Sequence, residues 1–278
     1  MVSPLGSLVA TKLDMELMSR IQAVAARALA SGAIEPIETE TEVIEDAGVQ
    51  FVVRVVSSLR RKDAVAQQQV RDPLGDHDPA LFVADVSPTH YVLLNKFPVL
   101  SQHLLVVVRE YEPQDALLTL ADFEALVRCM GNTENLGFYN AGREAGASQE
   151  RKHLQVVPMP LAPEVPHAVP IEPLLDAGPL LPFRHAFERI AQTDAAGLHA
   201  LYCRLLESAG VSGTAPYNLL LTRRWMLVVP RTREHFDSIS VNALGFAGSL
   251  FARDRTQLER IRRTGPMNVL CEVAARSG

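Results

Sequence analysis

The sequence lacks the features that tie a chain to a membrane or staple it covalently. Its three cysteines, Cys129, Cys203 and Cys271, are too far apart for a CxxC zinc site or an even disulfide framework. No uninterrupted apolar run exceeds five residues, whereas a transmembrane helix needs about 20. The first ten residues lack the basic and apolar regions of a secretory signal. We therefore expect no membrane partner and a reducing, cytoplasmic location.

Excess positive charge is also missing. Lysines and arginines number 27 against 32 acidic residues, so the net charge is −5, which argues against a nucleic-acid partner. Local basic clusters can still oppose the global sign and bind an anion. One such cluster ends at Lys62, which is a candidate phosphate contact from its basic neighbourhood alone.

Several well-known site motifs are absent as well. The sequence has no GxxxxGK[ST] loop and no GxGxxG, so the standard nucleotide-binding folds gain no support. It has no HExxH and no cluster of histidines and cysteines that would hold a catalytic zinc. We therefore predict no metal site and no required cofactor.

Hydrophobic periodicity predicts a mixed fold. Apolar residues at helical spacing predict an N-terminal helix that stops at Gly32, and Thr119 offers the N-cap of another helix. Strands are predicted at 51–56, 81–85, 91–94, 103–109 and 153–157, helices at 183–191, 198–208 and around 258–261, and a hairpin at 217–222 and 225–230. Strands and helices do not alternate, so we predict an α+β fold with an antiparallel sheet and flanking helices.

A proline-rich stretch gives the best internal boundary. We predict an N-terminal part over 1–164, an irregular crossover over 165–182, and a C-terminal part over 183–278 that packs into the same compact unit.

The chemistry is concentrated in one segment, a Gly/Ser loop that leads into a strand. His153 opens this strand and Gln155 follows two residues later, so both side chains lie on one face while Leu154 points into the core. The backbone N–H groups of the loop can hold anionic oxygens, and Gln155 can donate to a phosphoryl oxygen. Covalent capture of a phosphorus centre by His153 would split one displacement into two steps.

The simpler interpretation of this pattern stays open at this point. A single His-x-Gln on a strand is usually just a hydrogen-bonded pair, and the functional hypothesis depends on the glycine-rich loop directly before it.

Three further segments carry a pattern of their own: Asn95-Lys-Phe-Pro-Val99 with His103-Leu-Leu-Val106, Phe138 to Gly142 continuing through Gly146-Ala-Ser-Gln149 to Lys152-His-Leu-Gln155, and Tyr217-Asn-Leu-Leu220 with Trp225-Met226 and Pro230-Arg231. In these segments the sequence resembles the ATP adenylyltransferases, also called diadenosine tetraphosphate phosphorylases. This family is a branch of the histidine-triad superfamily that is related to galactose-1-phosphate uridylyltransferase. The resemblance implies a histidine-triad-like sheet extended by a C-terminal segment.

The resemblance also implies an activity and a site. Diadenosine tetraphosphate and phosphate would give ATP and ADP through an adenylyl group held on His153, with Gln155 as ligand of the α-phosphate. The polyphosphate path would be lined by Gly146, Ala147, Ser148 and Gln149, with Asn140 beside it, and Asn95 and Lys96 would meet ribose and phosphate. Mg²⁺ is the expected companion of a polyphosphate, although no carboxylate cluster demands it.

The chain departs from the family pattern at one position. Arg151 stands where the family commonly has a histidine. Its guanidinium either supplies a permanent charge to the transferred phosphate or faces solvent. His103 has a stronger structural interpretation, as a histidine at the edge of the core.

Other functions remain open on the sequence alone. A hydrolase of the same superfamily would release ATP and AMP without phosphate. A sugar-phosphate nucleotidyltransferase would share the His-x-Gln pair. A non-catalytic sensor of dinucleoside polyphosphates would bind without turnover.

Overall fold

The computed structural model describes residues 4–56, 72–178 and 181–277, and side chains from residue 16 onward. Helices are α1 (Pro4–Ala30), α2 (Leu120–Met130), α3 (Glu172–Ala177), α4 (Ala195–Ala209), α5 (Ala243–Phe246), α6 (Arg255–Thr264) and α7 (Pro266–Val273). Strands are β1 (Thr39–Asp46), β2 (Val49–Val56), β3 (Phe82–Asp85), β4 (His90–Leu94), β5 (Leu104–Val108), β6 (Asn135–Ala141), β7 (His153–Pro158), β8 (Ala186–Arg189), β9 (Tyr217–Leu221), β10 (Trp225–Pro230), β11 (His235–Phe236), β12 (Ile239–Ser240) and β13 (Ser249–Ala252).

An eight-stranded antiparallel sheet dominates the fold. Its strand order is β3-β4-β5-β7-β6-β9-β10-β8, so strands from before and after the proline-rich stretch lie in one sheet. The join is the β6–β9 pair, in which Asn140 lies opposite Asn218. A smaller sheet adds the β1–β2 hairpin and β13, which runs parallel to β2. The predicted α+β fold with a large antiparallel sheet and flanking helices is confirmed.

The two faces of the large sheet are covered differently. One face buries Leu154, Val156 and their neighbours under α1, α2 and α4. The opposite face carries two separate clusters, one on β6, β9 and β10 that includes Phe138, and a smaller one on β4 and β5 that includes Tyr91 and Val107. Strand β7 lies between β5 and β6. Its residues on this second face therefore lie between the two clusters.

Several local predictions are confirmed. Helix α1 is followed by Gly32 at a positive φ of 75°, as a C-terminal cap requires. Thr119 caps α2, and the side chain of Asp122 bonds back to the Thr119 N–H in a complete capping box. The hairpin β9–β10 forms with the predicted bounds to within a residue.

The predicted helix at 183–191 is wrong. The segment contains the edge strand β8, which pairs with β10 so that Ala186 lies opposite Val228. Ala186 belongs to the helix-covered cluster while Phe187 packs against the other face, which is the two-residue alternation of a strand. The unpaired edge of β10 decides the conformation here, because tertiary pairing outweighs local propensity.

Within the described parts of the chain, no helix is long and apolar enough to span a membrane.

Candidate active site

His153 opens β7 on the partly open face of the sheet and is 4% exposed. Its Nδ1–H donates to the backbone carbonyl of Arg151 at 2.9 Å, because a carbonyl can only accept. The lone pair is therefore on Nε2. Burial lowers the pKa of His153, and the bond to the Arg151 carbonyl offsets part of this effect. At neutral pH the residue is thus a neutral imidazole, and its Nε2 has no hydrogen-bond partner among the residues that the structure describes.

A buried amide fixes the backbone on both sides of this histidine. The Gln114 side chain donates to the carbonyl oxygens of Asn140 at 2.9 Å and His153 at 3.1 Å. Its Oε1 accepts the N–H of His153 at 2.8 Å. The recorded β6–β7 pairing ends at Phe138 and Gln155, so Gln114 bridges the two strands where they separate. Asn140 and His153 are held side by side as a result.

Gln155 belongs to a chain of side chains that begins outside β7. Its Oε1 lies 2.9 Å from Nε2 of His103, and Nδ1 of His103 lies 3.0 Å from Nδ2 of Asn95. The Phe97 N–H donates to Oδ1 of Asn95, which turns the Asn95 NH₂ group toward His103. His103 therefore accepts on Nδ1 and donates from Nε2.

The direction of these hydrogen bonds determines which end of the Gln155 amide can contact a ligand. Because its oxygen accepts from His103, its NH₂ group is left to donate to a ligand oxygen. Burial lowers the pKa of His103 to about 4, although the bond to Gln155 opposes the shift and nearby His153 adds to it. His103 is therefore neutral at physiological pH, as it must be to accept a hydrogen bond on Nδ1 while donating one from Nε2. The predicted placement of His153 and Gln155 on one face, with Leu154 in the core, is confirmed.

The loop between β6 and β7 contains Gly146, Ala147, Ser148 and Gln149, at the end of β7 where His153 lies. Gly142 and Gly146 have φ values of 83° and 86°, which favour glycine. A Cβ at Gly146 would lie 2.7 Å from the Val241 carbonyl oxygen, so the loop packs directly against the segment that leads into α5. Ser148 is exposed.

Two cations that the sequence places near the loop are already paired. Arg151 donates to Asp72, with Nη2 and Oδ2 2.5 Å apart, and to the carbonyls of Val108 and Arg109. Lys152 is fully buried and lies 2.7 Å from Asp122 and 3.0 Å from Glu112. Both charges are therefore paired within the protein. The Arg151 side chain lies mostly buried against Asp72, at 11% exposure, and its contact with a phosphate stays a prediction.

Asp122 anchors this buried ion pair. Burial alone would raise its pKa, but hydrogen bonds from His90 and Lys152 and the charge of Lys152 outweigh burial and hold the pKa at about 2. Asp122 therefore stays ionised, and its pairing with Lys152 fixes the residue immediately before His153.

The remaining predicted residues lie at different places. Asn95 contacts His103, as described, whereas Lys96 is exposed and its Nζ lies 5.3 Å from the centre of the Phe97 ring. Lys62 lies outside the described residues. Among the described residues, no group of three or more His, Cys, Asp or Glu side chains could hold a metal ion. The expectation of Mg²⁺ with a polyphosphate stays a prediction.

The sequence analysis missed three polar residues that support the site, Gln114, Asn218 and Arg231, and it gave His103 only a structural interpretation. Asn218 and Arg231 stand within the segments that carry the family resemblance, but nothing in their local pattern reveals a partner. Asn218 Nδ2 lies 2.9 Å from Asn140 Oδ1, and Arg231 Nη1 lies 2.6 Å from Asn218 Oδ1. Such contacts depend on the order of strands in the sheet.

Comparison with known families agrees with this architecture. Residues 10–177 match the Ap4A phosphorylase N-terminal domain, where Ap4A denotes diadenosine tetraphosphate, and residues 179–276 match the ATP adenylyltransferase C-terminal domain. The fold and the site thus define a nucleotide-related transferase. The chain belongs to the Ap4A phosphorylase/ATP adenylyltransferase family, which confirms the resemblance seen in the sequence.

Individual relatives are similar over nearly the full chain. Diadenosine 5',5'''-P1,P4-tetraphosphate phosphorylase 2 of Saccharomyces cerevisiae is 27% identical over 298 aligned residues, covering 90% of this chain and 91% of the relative. Protein APA1 of the same yeast is 29% identical, covering 83% and 85%. The crystal structure of yeast Ap4A phosphorylase Apa2 in complex with Ap4A has a TM-score of 0.78 and 24% identity, covering 94% and 98%. The complex of the same enzyme with AMP has 26% identity and the same TM-score.

Proposed function

We propose that this chain is a nucleotidyltransferase that catalyses the reversible phosphorolysis of Ap4A to ATP and ADP. The observation that carries the proposal is that a neutral His153, whose Nε2 is unpartnered within the described ranges, and the NH₂ group of Gln155 lie on the same face of β7. A neutral imidazole is a nucleophile, and an amide NH₂ stabilises charge that develops on a phosphoryl oxygen.

The reaction takes two balanced steps. Nε2 of His153 forms a bond to the phosphorus of one adenylate, the anhydride P–O bond breaks, and ATP leaves with the bonding electron pair. An oxygen of inorganic phosphate then attacks the same phosphorus, the P–N bond breaks, its electron pair returns to Nε2, and ADP leaves. The Arg151 carbonyl accepts Nδ1–H and stabilises the positive charge of the adenylylated ring.

The relatives support this choice of substrate. One curated relative is named as a diadenosine tetraphosphate phosphorylase, and solved structures of yeast Apa2 hold Ap4A and AMP. In this proposal Gly146, Ala147, Ser148 and Gln149 line the path of the polyphosphate, Asn140 donates to it, and Asn95 and Lys96 meet the ribose and phosphate of the retained adenylate.

A substitution of His153 tests the proposal. The unmodified chain, His153→Asn and the control His167→Asn are incubated with Ap4A and inorganic phosphate, and nucleotides are separated by anion-exchange chromatography. His167 is an exposed histidine and serves as the matched control. We expect ATP and ADP in equal amounts from the unmodified chain and the control, and no turnover from His153→Asn. Omitting phosphate allows a protein adduct of one adenylyl group, which peptide mass spectrometry maps to His153.

Other outcomes would overturn the proposal in different ways. ATP and AMP formed without phosphate would indicate a hydrolase. Turnover only with a sugar phosphate would indicate a sugar-phosphate nucleotidyltransferase. Tight binding of Ap4A with neither turnover nor adduct would indicate a sensor.

A further inference from the structure

Arg231 is an unusual buried cation close to the proposed site. It follows β10 and is 4% exposed. It donates to the backbone carbonyls of Val273, Arg233, Glu234 and Ala145, and to Oδ1 of Asn218, and its guanidinium lies 5.2 Å from the Phe246 ring. Across the described ranges it forms no salt bridge, and the Glu234 carboxylate bonds to Ser240 instead.

Burying an arginine without a carboxylate is costly, so its retention requires an explanation. Burial lowers the pKa of Arg231 to about 9, with Glu234 opposing the shift, so the side chain is still protonated at neutral pH. A guanidinium carries only donors and cannot accept a hydrogen bond. Arg231 therefore imposes a direction on every hydrogen bond beyond it.

The imposed direction reaches the proposed site through two amides. Asn218 must present its Oδ1 to Arg231, at 2.6 Å, so its NH₂ group points away and donates to Ala145 O at 2.8 Å and Asn140 Oδ1 at 2.9 Å. The Ala243 N–H donates to the same oxygen of Asn140 at 2.9 Å. The oxygen of Asn140 is thus occupied twice. Its NH₂ group, beside His153, has no partner in the part of the chain that the structure describes and can donate to a ligand.

We infer that Arg231, acting through Asn218, is a positioning residue that turns the amide of Asn140 so that it donates to the phosphate of the bound nucleotide. The inference rests on the proposed function, because it takes an adenylate next to His153. It assigns a role to the C-terminal hairpin, which completes a phosphate site whose loop lies in the N-terminal part. Arg231 also places a positive charge next to the loop, through its contact with the Ala145 carbonyl.

The substitution Asn218→Asp tests the direction of the hydrogen bonds from Arg231 to Asn140, because it keeps the shape of the side chain at position 218. The introduced carboxylate still accepts from Arg231, now as an ion pair, but it cannot donate to Asn140. Asn140 can then bond to this carboxylate only by turning its NH₂ group toward it, which gives up the bond from the Ala243 N–H and presents the Asn140 oxygen to the phosphate. Binding of AMP and of adenosine is measured by isothermal titration calorimetry. We expect the affinity for AMP to fall about tenfold or more, and that for adenosine to stay within about twofold.

A double-mutant cycle separates this mechanism from simple repulsion by the added charge. In an Asn140→Ala background there is no amide to misorient, so Asn218→Asp should have little further effect on AMP binding. Repulsion would persist in that background, and additive losses would overturn the inference. So would an unchanged AMP affinity in Asn218→Asp alone. Asn268→Asp, on the exposed face of α7, is the matched control and should bind AMP normally.

Failure of the inference is distinguishable from failure of the proposed function. An unmodified chain that does not bind AMP and does not turn over Ap4A contradicts the function itself. An unmodified chain that does both, with an Asn218→Asp variant that behaves identically, contradicts only the role of Arg231 and Asn218.

Discussion

Replacing His103 tests whether its hydrogen bond orients the amide of Gln155, because the substitution leaves His153 unchanged. His103→Leu removes the Nε2–H that donates to Gln155 Oε1 at 2.9 Å, so either end of the amide can then face the phosphate. A hydrogen bond between neutral groups contributes about 0.5–1.5 kcal/mol, and each 1.36 kcal/mol is about tenfold in rate. We therefore expect kcat/KM for Ap4A to fall about 2- to 13-fold.

A conservative variant distinguishes orientation from packing. The NH₂ group of His103→Gln reaches the position of the imidazole Nε2–H, so this variant should recover most of the activity that the leucine variant loses. Initial rates of ATP formation are measured with a luciferase-coupled assay at saturating phosphate. Equal losses in the two variants, or none in His103→Leu, would refute the argument that His103 sets the amide of Gln155.

Three further predictions concern stability, each followed by chemical or thermal unfolding. The pKa of His103 is about 4 in the folded protein and about 6.5 in the unfolded chain. The free energy of unfolding should therefore decrease as the pH falls from 6.5 to 4. A flat profile over this range would contradict the assignment. Lys152→Met leaves the Asp122 carboxylate buried without its cation and should cost about 3–5 kcal/mol. In Gly146→Ala the new Cβ lies 2.7 Å from backbone, at a φ of 86°. The variant should lose about 1–3 kcal/mol more unfolding free energy than Gly213→Ala, where φ is also positive but nothing lies within 4 Å of the Cβ. Equal losses in the two variants would refute the close approach at Gly146.

Local sequence signals predict the elements whose stability is local. The Thr119 capping box and the β9–β10 hairpin are specified by residues a few positions apart, and both form as expected. Strand β8 is different, because its conformation depends on the free edge of β10, and the same segment is compatible with a helix on its own. Strand β6 also escaped prediction, since its residues are buried on both faces and show no alternation.

The pairing of the charges around the site could not be predicted from the sequence either. Arg143, Arg151 and Lys152 form one basic segment in the sequence. In the fold, Arg151 pairs with Asp72, 79 residues away, and Lys152 with buried Asp122. A local count of charges cannot reveal which of them are already compensated, because the compensating groups arrive from other elements.

The sequence is enough to predict that an imidazole and an amide share one face of a strand directly after a glycine-rich loop, since two-residue alternation and the freedom of glycine are local properties. The motifs in the sequence were also enough to identify the family. Which ends of the amides face outward depends on the fold, because hydrogen-bond direction is set by partners that antiparallel pairing brings together. These are His103 against Gln155, 52 residues apart, and Asn218 against Asn140, 78 residues apart.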